Sequence, residues 1–256
     1  MDLKLKGKTA LITGASGGIG SAIAEGLAAE GVHTCLNYNS NDKEVLRLKD
    51  KFTGMGLKSE VFKANVSQEE EVRNLVDFTI EKLGHIDILI NNAGISYHKK
   101  FLDMDMSDWD TVIDINLKSY FMVSQLCARH MADRGERGKI INNSSMVEAI
   151  ARPNLTTYCV SKGGIGALAR SLAVELAPYN IQVNNVNPGI IETKILGDKL
   201  EKEPEFKQHL IDLIPMGRLG QADECADLFV FLASQRANYI TGASYYIDGG
   251  VTIAQL

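Results

Sequence analysis

The stretch Thr9–Gly20 reads TALITGASGGIG, a short apolar run followed by a cluster of glycines. The run has the length of a buried strand, and the residues from Gly18 to about Glu30 have the apolar spacing of a helix. Glycines at 14, 18 and 20 permit a tight turn and let the helix pack closely on the strand. A strand, a glycine turn and a helix in this order predict the first unit of a parallel α/β fold.

The rest of the chain continues this alternation of short apolar runs and longer helical segments. Alternating strands and helices predict a parallel sheet covered by helices on both faces, and right-handed crossovers favour a doubly wound, Rossmann-type sheet in three layers. No internal repeat or linker divides the sequence, so we expect a single α/β domain over residues 1–256. The predicted strands are 9–13, 32–38, 58–63, 86–90, 139–143, 181–186 and 244–247. The predicted helices are 18–30, 43–52, one ending near 83, 109–132, 156–177, 203–213 and 222–233.

Two of these helices carry capping signals at their starts. Ser67 is followed by Glu70, which is typical of a capping box opening the helix that ends near Leu83. Ser107 is predicted to cap the long helix that follows it.

Composition and charge exclude several classes of protein. The chain is 45% hydrophobic and 23% charged, as in ordinary globular proteins. A net charge of −5 with no basic block argues against nucleic acid as a partner. No apolar run reaches the ~18 residues of a membrane span, and no signal-peptide core precedes Gly14. The four cysteines are widely spaced, so neither a metal site nor a disulfide framework is predicted, and we expect the reducing cytoplasm.

Tyr158 and Lys162 stand four residues apart in a predicted helix, which places them on one face. An ammonium near a phenolate is worth roughly 4 kcal/mol at about 4 Å and an effective dielectric of about 20. That interaction would lower the tyrosine pKa from about 10 to about 7. Such a tyrosine exchanges a proton with an alcohol or carbonyl near neutral pH. The pair alone also fits an ordinary amphipathic helix, so the functional interpretation depends on the other motifs.

The glycine turn and the end of the second strand point to a dinucleotide. Backbone N–H groups at a helix N-terminus bind a pyrophosphate. An NAD-selective site usually presents an acid at the end of the second strand, where this chain has Tyr38. Asn39 and Ser40, with Ser16, could instead hydrogen-bond a 2′-phosphate, although the nearest basic residue is Lys43. This pattern favours NADP over NAD and leaves dual use open.

Further motifs follow in a fixed order along the chain. Asn91-Asn92-Ala93-Gly94 follows the fourth strand, Asn116 lies in the next helix, and Ser144-Ser145 ends the fifth strand. Asn187-Pro188-Gly189 with Thr193 follows the sixth. Together with the TGxxxGxG and YxxxK patterns, these segments resemble the short-chain dehydrogenase/reductase family over essentially the whole chain. The resemblance implies an NAD(P)-dependent oxidoreductase that moves hydride between the nicotinamide and the carbinol carbon of a small molecule.

The resemblance also implies a role for each matching residue. Tyr158 would be the general acid/base, with Lys162 lowering its pKa and holding the nicotinamide ribose. Ser145, thirteen residues before Tyr158, would hydrogen-bond the reacting oxygen, and Asn116 would hold a water that relays protons. Asn91, in the motif after the fourth strand, could have only a structural role, in which its side chain hydrogen-bonds that strand to the loop after it. Besides Tyr158 and Lys162, the residues expected at the cofactor are Gly14, Ser16, Gly17, Gly18, Ile19, Gly20, Tyr38, Asn39, Ser40, Asn65, Val66, Asn92, Ala93, Gly94, Pro188, Gly189, Ile191 and Thr193.

Substrate identity is open between two branches of this family. Pieces such as Asn37-Tyr38 and Asp248-Gly249-Gly250 resemble bacterial sugar 1-dehydrogenases, which implies a sugar or polyol. Glu148 could hydrogen-bond sugar hydroxyls at the pocket mouth or be a solvated loop acid. Ser96 stands where a glucose pocket would favour an acid. The segment 190–215 is the expected substrate lid.

Two alternative functions are also considered, and the family resemblance implies an oligomeric state. A 3-oxoacyl-carrier-protein reductase shares every motif and would need a basic docking patch near Arg129, Arg134 and Arg170. A protein that binds NADP without turnover is the second alternative. The resemblance implies a homotetramer with the helices around 109–132 and 156–177 at its interfaces.

Overall fold

The computed structural model describes residues 2–193 and 200–254, and its central feature is a seven-stranded sheet in which all strands are parallel. The strands are β1 (Thr9–Ile12), β2 (His33–Tyr38), β3 (Ser59–Lys63), β4 (Ile88–Asn91), β5 (Gly138–Asn143), β6 (Ile181–Pro188) and β7 (Ser244–Ile247). The helices are α1 (Gly18–Ala29), α2 (Lys43–Gly54), α3 (Glu69–Leu83), α4 (Met106–Ile113), α5 (Ser119–Arg134), α6 (Thr156–Leu176), α7 (Pro204–Asp212), α8 (Ala222–Ala233) and α9 (Val251–Ala254). The predicted fold class is confirmed.

The order of the strands across the sheet is β3-β2-β1-β4-β5-β6-β7. The chain moves outward in one direction from β1 to β3 and then returns to place β4 on the other side of β1. Open parallel sheets bind ligands at such a reversal, in the crevice outside the carboxyl ends of the strands. The loops after β1 and β4 are therefore the place where a site is expected.

Alternating side chains of the central strands supply two separate cores. Ala10 and Ile12 of β1 pack with α1, α2 and α8, whereas Leu11 points to the opposite face and packs with α3, α5 and α6. In β4, Ile88 and Ile90 face the first core and Leu89 the second. Because both faces are covered, each of these strands has three consecutive apolar residues, which explains why the sequence shows runs rather than alternation.

Both predicted helix caps are wrong. Gln68, not Ser67, precedes α3, and its side chain forms no cap. The Ser67 hydroxyl instead donates to Asn65 Oδ1 at 2.9 Å. Asp105 caps α4 and accepts from the Ser107 and Asp108 N–H groups at 3.0 and 3.1 Å, while Asp108 accepts from the Asp105 N–H at 3.0 Å. An acid two residues earlier thus takes the place predicted for Ser107.

The single helix predicted over 109–132 is two helices joined by a π-turn at Asp114–Lys118. Across the residues that the structure describes, no helix is both long and apolar enough to cross a membrane.

Candidate active site

The glycine turn between β1 and α1 is packed so closely that side chains could not fit at two of its positions. A Cβ at Gly14, whose φ is +61°, would lie 2.8 Å from the Ala93 Cα. A Cβ at Gly20 would lie 2.5 Å from both the Gly14 carbonyl oxygen and the Asn92 amide nitrogen. These contacts bring the loop after β4 against the loop after β1, at the predicted crevice.

The start of α1 fits a phosphate group. Gly17 is the N-cap residue, and because it has no side chain it provides no side-chain cap for the first turn of the helix. The first N–H groups of a helix lack intrahelical partners and attract anions, and the helix dipole adds partial positive charge there. Bare glycine backbone together with an uncapped helix start is the arrangement that a dinucleotide pyrophosphate requires.

Two asparagines brace this turn from neighbouring strands. Asn37, buried at the end of β2, accepts from the Gly14 N–H at 3.2 Å and donates to the Ala64 carbonyl at 3.0 Å. Asn92 donates to the Thr13 and Gly14 carbonyls at 3.0 and 2.9 Å. The motifs in the sequence do not predict this role for Asn37, whose signal is an amide inside a predicted strand. The Asn92 N–H also donates to the Thr13 hydroxyl at 2.9 Å, so this residue braces the turn through both its side chain and its backbone.

The other residues expected at the cofactor lie around the same crevice. Asn39 and Ser40 are exposed at the end of β2, whereas Tyr38 is half-buried and packs on the first core. Asn65 uses its side-chain oxygen to accept from the Ser67 N–H at 3.1 Å. The Thr193 methyl group lies 3.2 Å from the Cβ position of Gly18, so the segment after β6 reaches the glycine turn.

Ser145, Tyr158 and Lys162 come together at the carboxyl end of β5. Ser145 is 8% exposed, hydrogen-bonds the Tyr158 hydroxyl, and accepts from the Val147 N–H at 3.3 Å. The Lys162 ammonium donates to the Asn143 carbonyl at 2.7 Å and lies 5.6 Å from the centre of the Tyr158 ring. Ser144, in contrast, points to α6 and donates to the Lys162 carbonyl at 3.4 Å. Tyr158 and Lys162 share one face of α6, as their spacing predicts.

The pKa values in this cluster differ from the sequence expectation. Burial raises the pKa of Tyr158 above its ordinary value, and the hydrogen bond with Ser145 only partly opposes this. Burial lowers the pKa of Lys162 to about 7. The expected lowering of the tyrosine pKa by Lys162 is therefore wrong for the groups as they stand, because loss of hydration disfavours the charged form of both.

Asn116 lies fully buried in the π-turn between α4 and α5. Its side chain donates to the Ile95 carbonyl and accepts from the Ile95 N–H, both at 2.8 Å, and it donates to Ser161 at 3.3 Å. These bonds hold the loop after β4 against α6, one residue from Lys162. A π-turn of this kind often marks a functional site.

Glu148 takes neither of the two positions considered for it. Its carboxylate points inward and accepts from the Ser244 hydroxyl at 2.7 Å and from the Asn185 amide at 3.3 Å. It is therefore neither a solvated loop acid nor a group presented at the pocket mouth.

The predicted lid over 190–215 is described only in part, because residues 194–199 lie outside the described residues. Leu200 and Ile214 are buried in a small apolar cluster with Ile150, against which Phe206 of α7 and Met146 pack. Met146 immediately follows Ser145, so α7 is packed beside the catalytic candidates, where a lid would act.

Comparison with known proteins agrees with this geometry. A family model described as enoyl-(acyl carrier protein) reductase matches residues 14–252. The chain is 37% identical over 252 residues to the 3-oxoacyl-(acyl-carrier-protein) reductase FabG of Thermotoga maritima, covering 98% of this chain and all of that protein. It is 35% identical to a 2-dehydro-3-deoxy-D-gluconate 5-dehydrogenase of Formosa agariphila, covering 96% and 93% of the two chains.

Among solved structures, a short-chain type dehydrogenase/reductase from Mycobacterium marinum superposes with a TM-score of 0.91 at 36% identity, covering 98% of each chain. Sequence and fold thus agree over nearly the full length, and the glycine turn and the Ser145–Tyr158–Lys162 cluster lie at the carboxyl ends of the strands, where open parallel sheets bind ligands. The chain belongs to the short-chain dehydrogenase/reductase family and is an oxidoreductase acting on alcohol or carbonyl groups with an NAD(P) cofactor.

Proposed function

We propose that the protein interconverts an alcohol and a carbonyl on a sugar or polyol, with Tyr158 as the general acid/base. The observation that carries this proposal is the meeting of Ser145, Tyr158 and Lys162 beside a glycine turn that fits a dinucleotide. The bound nicotinamide would supply or accept the hydride. Gly14, Gly20 and the start of α1 would hold its phosphates.

The protein's own groups would handle the proton. The Ser145 hydroxyl and the Tyr158 phenol converge on one point, where a carbonyl oxygen could accept from both. During reduction, Tyr158 gives its proton to the oxygen, and the Lys162 ammonium then stabilises the phenolate that remains. In the reverse direction the phenolate takes the proton of the alcohol.

Replacing Tyr158 by Phe tests this role directly. Removing the proton donor is expected to lower kcat by about 10²–10⁴-fold, the usual contribution of a general acid/base. Dinucleotide affinity, measured by fluorescence titration, is expected to stay within a few-fold of wild type, because the ring remains in place. Unchanged turnover in the Phe variant would exclude Tyr158 as the acid/base. Dinucleotide binding without turnover of any alcohol or carbonyl, in the wild type itself, would favour a protein that only binds NADP.

The sugar or polyol assignment draws on the gluconate-type relative as well as on the sequence resemblance. We expect the highest kcat/KM on an aldose, aldonate or polyol in a panel that also contains simple ketones and 3-oxoacyl thioesters. Each substrate is paired with NAD(H) and NADP(H) and followed at 340 nm. Turnover confined to simple ketones would contradict a polyhydroxylated substrate.

The 3-oxoacyl-carrier-protein reductase remains the second candidate, because FabG relatives match over the whole chain. The basic patch considered for it is weakened at Arg134, which bonds Glu136 at 2.9 Å and Asp87 at 3.4 Å. Arg129 shares a cleft with the acids Asp133 and Glu175. Faster reduction of a carrier-bound 3-oxoacyl group than of any sugar would decide for this candidate.

We also propose that the protein assembles as a homotetramer through α5 and α6. Phe121, Val174 and Tyr179 are 45, 78 and 53% exposed on or just beyond these helices. Phe121 and Tyr179 line an open cleft of about 570 Å³ between the helices. Exposed apolar groups of this kind mark interaction surfaces. We expect sedimentation velocity to show a tetramer, and Val174→Lys to shift it toward smaller species; a monomeric wild type would contradict the proposal.

A further inference from the structure

A continuous line of hydrogen-bonded side chains crosses the sheet from β4 to β7. Asn91, Asn142, Asn185 and Ser244 are register partners on adjacent strands, so their side chains lie on one face. Asn91 donates to Asn142 at 2.9 Å, and Asn142 donates to Asn185 at 2.9 Å. Asn185 donates to the Ser244 hydroxyl at 3.2 Å. The three asparagines are at most 1% exposed. We call these four residues the amide line.

The amide line ends on the carboxylate of Glu148. The Ser244 hydroxyl donates to one carboxylate oxygen at 2.7 Å, and the Asn185 amide donates to the other at 3.3 Å. Both donors are neutral, so they orient the carboxylate without cancelling its charge. A partly buried charge held by neutral groups acts on its surroundings more strongly than a solvated one.

The carboxylate lies under α6 at the level of Gly166. A Cβ at Gly166 would be 2.6 Å from a Glu148 oxygen, so a residue with a side chain would displace the carboxylate. Gly166 stands four residues after Lys162, on the same buried face of the helix. The fold therefore places an anion against α6, one helical turn along the helix from Lys162.

The titratable groups around Lys162 come from several elements. Tyr158 from its own helix and Tyr120 from α5 present their rings at 5.6 and 5.5 Å. Glu148, on the turn after β5, is the group whose charge raises the pKa of Lys162 against the lowering by burial. Burial raises the pKa of Tyr246 on β7, and the charges of Glu148 and Asp248 act in the same direction, while a hydrogen bond with Asn187 and the charge of Arg170 on α6 oppose them. Of these, Glu148 is the anion that acts on the ammonium.

We propose that Glu148 is a positioning residue that acts through Lys162: its carboxylate, fixed by the amide line and admitted by Gly166, holds the lysine in its charged form. The interaction between the Glu148 carboxylate and the Lys162 ammonium does not depend on which reaction the protein catalyses, whereas its effect on turnover rests on the proposed function. Among the described residues, the Glu148 carboxylate is hydrogen-bonded to Asn185 and Ser244, not to Ser145 or the Tyr158 hydroxyl.

A double-mutant cycle of Glu148→Gln and Lys162→Met tests the interaction without turnover. Glutamine keeps the size of the side chain and can accept from Asn185 and donate to the Ser244 hydroxyl, so chiefly the charge is lost. The free energy of unfolding of all four proteins is measured from about pH 6 to about pH 9.

The sign of the expected result follows from linkage. Lys162 titrates near pH 7 in the folded protein and near 10.4 when unfolded, so its burial as an ammonium reduces stability at low pH. Without Glu148 this penalty grows. We expect the stability gap between wild type and Glu148→Gln to be widest below pH 7 and to narrow as the pH rises above it. In the Lys162→Met background the gap is expected to be the same at every pH.

Two results would overturn the proposal and leave Glu148 a packing residue. In the first, the difference in free energy of unfolding between wild type and Glu148→Gln does not vary with pH. In the second, that difference varies with pH just as much when Lys162 has been replaced by Met. Glu30→Gln, an exposed acid at the end of α1, controls for loss of one negative charge and is expected to show no such gap. If Glu148→Gln does not fold, Gly166→Ala takes its place, since the added methyl group displaces the carboxylate. Its difference from wild type in free energy of unfolding must then depend on pH in the same way, and must not do so when Lys162 is replaced by Met.

Turnover gives a second readout that depends on the proposed function. In Glu148→Gln the alkaline limb of the kcat/KM profile for carbonyl reduction is expected to move to lower pH, while Glu30→Gln leaves it in place. An unmoved limb in an active variant would overturn the role of Glu148 in turnover. Absence of turnover in the wild type on every substrate would overturn the proposed function instead. The double-mutant cycle would still test whether Glu148 and Lys162 interact, because it measures the free energy of unfolding and needs no turnover.

Discussion

The ammonium of Lys162 lies beside Tyr158, the proposed proton donor, at 5.6 Å from the centre of its ring. Burial brings its pKa to about 7, and burial keeps the neighbouring Tyr158 protonated at neutral pH. The pair therefore starts as a phenol beside a partly charged lysine, which suits donation of a proton to a carbonyl. The spacing of Tyr158 and Lys162 on a helix predicts that they lie close together. It does not predict how far each group is buried, and burial is what shifts their pKa values.

Asn39 is the residue at which cofactor preference can be changed with least disturbance. It is exposed at the end of β2, whereas Tyr38 before it packs on the core. Asn39→Asp is expected to weaken NADP binding about tenfold relative to NAD, because a carboxylate repels a 2′-phosphate and accepts from a 2′-hydroxyl. The measurement is the ratio of dissociation constants for the two dinucleotides.

Asn39→Arg is the matched variant of opposite charge and is expected to shift the ratio toward NADP, since a guanidinium pairs with a phosphate. Equal shifts in both variants, or no shift in either, would mean that Asn39 does not face the ribose.

At the scale of single elements, strand positions follow from the sequence and helix caps do not. β7 and α8 have the predicted bounds, and most other elements agree within two residues. A buried strand is a run of several apolar residues, so one substitution hardly changes the pattern. A cap depends on where one side chain points, and near Ser107 both the serine and Asp105 were chemically suitable.

Asp105→Ala tests the cap that the structure shows at α4. Loss of the two hydrogen bonds to the first turn is expected to reduce the free energy of unfolding by about 1 kcal/mol. Ser107→Ala is the control, because that hydroxyl only donates to Asp105 at 2.6 Å and caps no N–H group. Urea unfolding measures both; a larger effect of the serine variant would return the cap to Ser107.

For the whole molecule, buried titratable groups predict how stability depends on pH. Burial, with Arg137 nearby, lowers the pKa of Lys139 to about 8. An unfolded lysine titrates near 10.4, so the unfolded chain binds more protons and stability rises with pH from about 7, where Lys162 begins to contribute. Above about 8.5 three buried thiols, Cys35, Cys127 and Cys225, whose pKa values burial raises, outnumber the two lysines and reverse the trend. Maximum stability is expected near pH 8–9.

Lys139→Met measures how much Lys139 contributes to the dependence of the free energy of unfolding on pH. The variant is expected to be more stable than wild type by about 1–3 kcal/mol near pH 6–7, because a buried ammonium is removed. The gain should shrink as the pH rises through about 8. Unfolding by urea under reducing conditions gives the curve, and Lys63→Met, at an exposed position, serves as the control. A gain that does not vary with pH would contradict the lowered pKa of Lys139.

The sequence by itself determined the parallel α/β class, the dinucleotide crevice and the pairing of Tyr158 with Lys162. Each of these depends on local periodicity or on spacing along one element, which neighbouring residues on the chain specify. The preference for NADP came from Tyr38 standing where an NAD-selective site has an acid, whereas the substrate and the tetramer were expected from family resemblance; all three stay predictions.

Only the tertiary structure decided the protonation of the site and the surroundings of Glu148. The amide line joins residues from four strands, and Glu148 reaches it because Gly166, on a different element, lacks a side chain. Burial and long-range contact arise when distant segments pack together, and the pKa of a group is set by the water and charges that this packing removes or brings near.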